Sequence, residues 1–196
     1  MLRLRSRGLS RSVGKAPLPD WVSSGNLFTN PQDISSATGG WTNTNCTVTA
    51  NDISGPYAGA FGDLVTESTD GAGATHEIQR SVTIANSTAY LHRLIVQRIN
   101  RNVRLFYPAA QFGGTAQTVD FDLSAGTSNT VSGSPVSTIT PLGSDWWLVT
   151  IQATSGPAAA GAFTHRALRL LDGATLSYTG TGSAAVYVAA VGLHAV

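Results

Sequence analysis

Residues 121–153 read FDLSAGTSNTVSGSPVSTITPLGSDWWLVTIQA, and this stretch decides the fold class. Phe121 and Leu123 alternate with Asp120 and Asp122 before Gly, Ser and Asn break the run. After the turn signal Gly143-Ser144-Asp145, the pattern resumes with Trp147, Val149 and Ile151. Apolar residues two apart, bounded by turn formers, make strands with one face in a core and the other in water. The stretch predicts two antiparallel strands and the connection between them.

Outward from this stretch the same signals recur. Cys46, Val48 and Ala50 alternate with Thr47 and Thr49 in a strand over 41–50, and a loop around Gly55-Pro56 fills 52–62. Short strands are expected over 63–67 and 76–84. Residues 89–108, AYLHRLIVQRINRNVRLFYP, predict a hairpin turning at Asn100-Arg101-Asn102, because asparagine tolerates the left-handed backbone of tight turns. Residues 162–171 have the Ala and Leu content of a helix but the length of a strand, and they end on Asp172-Gly173. Residues 184–193 are apolar on both sides, as in a central or covered strand. Eight or more turn-punctuated strands predict an all-β protein, a jelly-roll-like antiparallel β-sandwich.

Composition agrees. The chain has 196 residues, of which 12% are charged, and it is rich in Gly, Ser, Thr and Ala, which argues against a helical bundle. One cysteine, Cys46, excludes an intrachain disulfide framework and reads as a small buried strand residue rather than a nucleophile. The net charge of +1 hides an asymmetry: Arg3, Arg5, Arg7, Arg11 and Lys15 precede the first acid, Asp20. The rest of the chain is acidic overall, so nucleic acid is not an expected partner of the main domain. Arg93, Arg98, Arg101 and Arg104 do not change this, since strands alternate faces and these side chains are expected in water or paired with acids. No apolar run approaches membrane-spanning length, and the N-terminus lacks the apolar segment of a secretory signal. The basic start has the composition of a mitochondrial transit peptide and also that of a latching arm. The division expected is an anchoring arm over 1–25 and a sandwich domain over 26–196, with Pro17 and Pro19 stiffening the exit and Trp21-Val22 docking it. Extended, the first 20 or so residues would reach roughly 65 Å.

Candidate chemistry is sparse. Asp120 and Asp122 share a strand face and could offer oxygen ligands to Ca²⁺, though two acids also simply keep a face wet. A glycosidase needs two carboxylates flanking one bond, and Glu67, Glu77 and Asp145 are the candidates. His76, His92, His165 and His194 have no metal-site spacing, and no nucleophile elbow or phosphate loop is present. No catalytic residue, metal or cofactor is expected. Aromatic side chains can stack on sugar rings or bury area between subunits. Trp41, Tyr57, Tyr107 and Tyr178 lie near predicted loops or strand ends. Trp146 and Trp147 are strand neighbours, so one faces the core and the other faces out. These six are the candidate glycan or subunit contacts, and for the outward-facing tryptophan of the pair the subunit contact is favoured.

The order of signals also carries a resemblance. NLFTNPQD at 26–33, TVTAN at 47–51, DLVTE at 63–67, HEIQRSVTI at 76–84, FDLSAGT at 121–127, DWW at 145–147 and SYTGTG at 177–182 follow one another. This resembles the carbohydrate-binding-module-like jelly-roll domains of tail, fibre and other virion proteins of tailed bacteriophages and prophages, over residues 26–196. The resemblance implies a non-enzymatic structural protein of a phage or phage-like particle, located in the virion. The basic arm would hold other virion proteins, and copies would assemble as a homo-oligomer, a trimer in the first instance. The alternative implied is a glycan-binding module for host-cell attachment. Such domains often carry an acid in the last strand, where this chain has Gly192-Leu193-His194-Ala195-Val196, so a structural calcium site is not carried over.

Overall fold

A computed structural model describes residues 14–36 and 40–196. After a single 3-10 turn at Asp20–Val22, the strands run β1 Thr42–Thr44, β2 Cys46–Ser54, β3 Phe61–Glu67, β4 Ala74–Thr75 and β5 Glu77–Ile84. They continue as β6 Ala89–Arg98, β7 Asn102–Tyr107, β8 Gln117–Asp122, β9 Thr127–Ser132 and β10 Val136–Gly143. The last four are β11 Trp146–Thr154, β12 Gly161–Leu171, β13 Ser177–Tyr178 and β14 Ala184–Ala195. Two six-stranded sheets form, in the orders β1-β5-β12-β7-β8-β9 and β2-β3-β14-β6-β11-β10, while β4 and β13 pair separately. Every pairing is antiparallel. Without the outermost strands the orders are β5-β12-β7-β8 and β3-β14-β6-β11, a jelly-roll-like β-sandwich as the alternation implied.

The core lies between the sheets. Val65, Leu94, Val96, Val149, Ile151, Val186, Val188 and Val191 from the second sheet meet Ile78, Val103, Leu105, Val119, Phe121, Leu168 and Leu170 from the first. The edge strands of the two sheets lie opposite one another, β1 beside β2 on one side and β9 beside β10 on the other.

Three local expectations are corrected. The hairpin over 89–108 does not form, because β6 and β7 lie in different sheets. The chain turns a corner there, with the amides of Ile99, Asn100 and Arg101 converging on the carbonyl of Ala185 at 3.0–3.2 Å, and neither Asn100 nor Asn102 adopts a positive φ. Both strands point one apolar face at a common core, so their pattern is the same for a hairpin and for a corner. The strand over 41–50 is broken at Asn45 (φ 52), which sends β1 to one sheet and β2 to the other, and β2 runs on into the expected loop. The connection inside 121–153 holds two further strands, β9 and β10. Their Ser and Thr residues are mostly exposed on an edge, so they carry no apolar alternation to read. The turn after them does form as read: Ser144 and Asp145 have φ of 50 and 63, the two-residue loop suited to a twisted hairpin.

Candidate functional site

Three of the motif-like segments, 63–67, 76–84 and 177–182, meet at the end of β3. Glu67 ends β3 and is 1% exposed. Arg101, from the β6–β7 corner, donates through Nε and Nη2 to its two oxygens at 2.8 Å each. The Tyr178 hydroxyl donates at 3.0 Å, and Thr181 adds its amide at 3.0 Å and its hydroxyl at 2.5 Å. These donors outweigh burial, which alone would raise the carboxyl, and hold it at about 2. The phenol of Tyr178 is pushed up, mainly by burial and then by its bond to Glu67. Its ring stacks on His76 at 4.4 Å, and Arg101 lies over it at 4.8 Å. His76 Nε2 is 3.0 Å from Asp70 Oδ1, which also accepts the Gly180 amide at 3.1 Å. A Cβ at Gly180 would overlap the Ser68 carbonyl and the Asp70 carboxylate, so only glycine fits. This knot binds the 177–182 loop to β3, β5 and the corner. Its carboxylate has no face turned to a ligand.

A second carboxylate is also structural. Asp63, 0% exposed, accepts the amides of Ile34 at 3.0 Å and Asn51 at 2.8 Å, which ties the 26–35 segment to the β2–β3 hairpin. Burial raises its carboxyl against these two bonds. Asn26 stitches the same segment to β14, accepting from Phe28 N and Leu193 N and donating to Val191 O.

The glycosidase candidates are not convergent. Glu67 is held by Arg101, Glu77 by Arg169 at 2.7 Å and Arg166 at 3.3 Å, and Asp145 sits in the β10–β11 turn. Asp120 and Asp122 do share the outer face of β8. Asp120 pairs with Arg104 through bonds of 2.5 and 2.8 Å, while Asp122 accepts from Ser124 and Ala125 in its own turn. Among the described residues no cluster of three or more His, Cys, Asp or Glu side chains could hold a metal ion. The register aligns Glu77, Arg169, Arg104 and Asp120 in one row across four strands, with Phe106 under the guanidinium groups of Arg166 and Arg169. Of the arginines over 93–104, Arg101 and Arg104 pair with acids, whereas Arg93 faces His194 and the Trp21 ring.

Most of the six aromatic candidates are consumed by the fold. Trp41 is buried against Phe28, Tyr107 lies in the central core and Tyr178 is locked in the knot, so these three are corrected from contacts to core residues. Trp147 packs on the main core with its ring edge over Gly126, where a Cβ would come within 2.6 Å. Trp146 takes the outer face, as alternation required, yet is only 3% exposed. The chain's own N-terminal strap covers that face: Leu18, Trp21 and Val22 cluster with Trp146, Ile95, Ala189 and Ala190. Tyr57 remains half-buried, lining with Trp146, Pro56, Pro141 and Leu142 a groove of about 660 Å³ that starts beside Gly14 and Lys15.

The docking expected of Trp21 and Val22 forms, and the contact extends back along the strap to Lys15. Lys15 Nζ donates to Gly55 O at 2.5 Å, so this member of the expected anchoring set serves its own domain, and Ala58 N donates to Ala16 O at 2.9 Å. Arg3, Arg5, Arg7 and Arg11 lie outside the described residues. Trp21 crosses β14 at Gly192, where a Cβ would meet its ring at 2.7 Å, and lies under Arg93 at 5.4 Å. The signal available was the glycine itself, isolated in an otherwise apolar last strand.

Neither protein-family models nor curated proteins provide a match to this chain. The class that fold and geometry define is a β-sandwich module whose motif residues hold its own loops, with a strap leading away from one outer face. Among the described residues no helix is long and apolar enough to cross a membrane.

Proposed function

We propose that the chain is a non-enzymatic structural subunit of a tailed phage or phage-like particle, anchored by its basic N-terminal segment and presenting the sandwich at the particle surface. The observation that carries this reading is the strap. It is riveted to the outer face of the second sheet through Lys15, Leu18, Trp21 and Val22, and in sequence it directly follows the segment bearing Arg3, Arg5, Arg7 and Arg11. A rigid domain with a basic lead suits charge-assisted bonding to acidic neighbours. The motif-like residues also serve architecture, which fits a module selected for rigidity. Homo-oligomerisation, as a trimer in the first instance, belongs to the same reading.

The test is incorporation. The cut belongs after Val13, because Lys15 onward contributes to the sandwich. The full chain is expected to sediment with particles in a density gradient, and the chain lacking residues 1–13 to stay at the top. Equal occupancy for the truncated chain would sink the anchoring role.

The second reading, a glycan-binding module for host attachment, draws on the groove where Tyr57 and Trp146 meet. Calorimetric titration with host polysaccharide separates the two. Saturable binding lost in Tyr57→Ala would favour the module.

A further inference from the structure

His194 stands on the outer face of β14, 6% exposed, with both ring nitrogens engaged. Nε2 is 2.8 Å from the carbonyl of Trp21, and Nδ1 is 3.1 Å from Nη1 of Arg93. A carbonyl only accepts and a guanidinium only donates, so the proton must sit on Nε2 and Nδ1 must be a bare acceptor. One neutral tautomer satisfies both neighbours. A second proton would place N–H against N–H and a cation against a cation.

The same residues seat the strap. Trp21 meets His194 edge-on at 6.1 Å and 89°, lies under the Arg93 guanidinium, and crosses at Gly192. Pushing Arg93 away from a charged His194 removes the cation that sits over the Trp21 ring. We propose that His194 is an acid-released clasp: when it takes a proton, the strap over residues 15–24 lifts from the outer face while the sandwich stays folded, uncovering Trp146, Ile95 and Ala190.

The groups facing His194 can be named. β6 contributes Arg93 on the same face and His92 on the opposite one, where it is neutral in the core. The strap contributes the backbone of Trp21 and Ser24, which favour the charged ring, and the side chain of Asp20 on the 3-10 turn is exposed to solvent. No carboxylate forms an ion pair with His194 among the described residues. Burial, the largest cause, and Arg93 together hold the ring below the ordinary histidine value despite the two backbone groups. The lifted state regains a value near 6.5. Opening therefore takes up a proton, and the lifted fraction rises about tenfold per pH unit below about 6.5 until the closed form itself titrates. The inference is independent of any role in a particle.

Amide hydrogen exchange on the full chain between pH 7.5 and 5, corrected for intrinsic chemical rates, tests it. Peptides covering residues 15–24 and 55–60, which include the Ala58 amide bonded to Ala16, are expected to lose protection about tenfold per pH unit while staying less protected than β11 and β12 at every pH, the mark of an opening short of global unfolding. His194→Gln supplies a donor and an acceptor that do not titrate, so its strap protection should be flat with pH. Arg93→Met removes the opposing charge and should move the opening to lower pH. A flat response in the parent chain, an unchanged slope in His194→Gln, or strap protection equal to that of the core peptides at each pH would each overturn the clasp.

Discussion

Replacing Glu67 by alanine would strand the Arg101 guanidinium and release the 177–182 loop, which should cost about 3–5 kcal/mol. Asp172, the other partner of Arg101, is 58% exposed, and Asp172→Ala should cost less than about 1 kcal/mol. Urea denaturation of the two variants checks both, and comparable losses would show that the knot has been misread. Cys46, 7% exposed and pushed up to about 12 chiefly by burial, should resist a disulfide reagent at neutral pH and react only on unfolding. The roles of Cys46 and of the paired strand arginines were legible from residue type and alternation. The knot was not, because Glu67, Arg101, His76 and Tyr178 come from separated segments and meet only in three dimensions.

At the scale of elements, the strap is the unit to test. Relative to a chain starting at residue 14, removing residues 14–25 should lower stability by about 3 kcal/mol or more, since it strips cover from Val22's seat and from Trp146. Gly192→Ala should give a smaller loss of the same kind, because a methyl forces Trp21 off β14. A midpoint unchanged in both variants would mean that the strap contributes nothing to folding. The Ser144-Asp145 hairpin could be read directly, since a two-residue turn leaves its chemistry in the sequence. The β6–β7 corner could not be, since apolar alternation reports that a face is buried and not which sheet shares the burial.

At the scale of the whole molecule, the two sheets meet on a pair of imidazoles. His92 Nδ1 and His165 Nε2 are 3.2 Å apart, both rings are fully buried among Phe28, Tyr107 and Phe163, and burial lowers both, His92 to about 3. In the unfolded chain each titrates near 6.5. The unfolded state therefore binds more protons below that pH, and stability should fall by about 1.4 kcal/mol per pH unit for each neutral histidine. Glu67 works in a lower window: its contribution is intact above about 4.5, its unfolded value, and is lost as pH falls towards about 2. Thermal melts from pH 7.5 to 4 should show stability declining below about 6.5. The double variant His92→Leu with His165→Leu should remove their share of the decline between 6.5 and 5, leaving the smaller slope that His194 contributes. A parent chain equally stable at pH 7 and pH 5 would contradict this account.

Sequence alone determined the all-β class, the sandwich, the inward and outward faces of most strands and the basic character of the N-terminal segment. Each follows from local periodicity and composition, which are properties of neighbouring residues. Tertiary structure decided which sheet each strand joined, that β9 and β10 extend the edges, that Trp41, Tyr107 and Tyr178 are spent on the interior, and that Trp146 lies beneath the chain's own strap. Those outcomes depend on which distant surfaces bury one another, and burial between segments leaves no period in either of them.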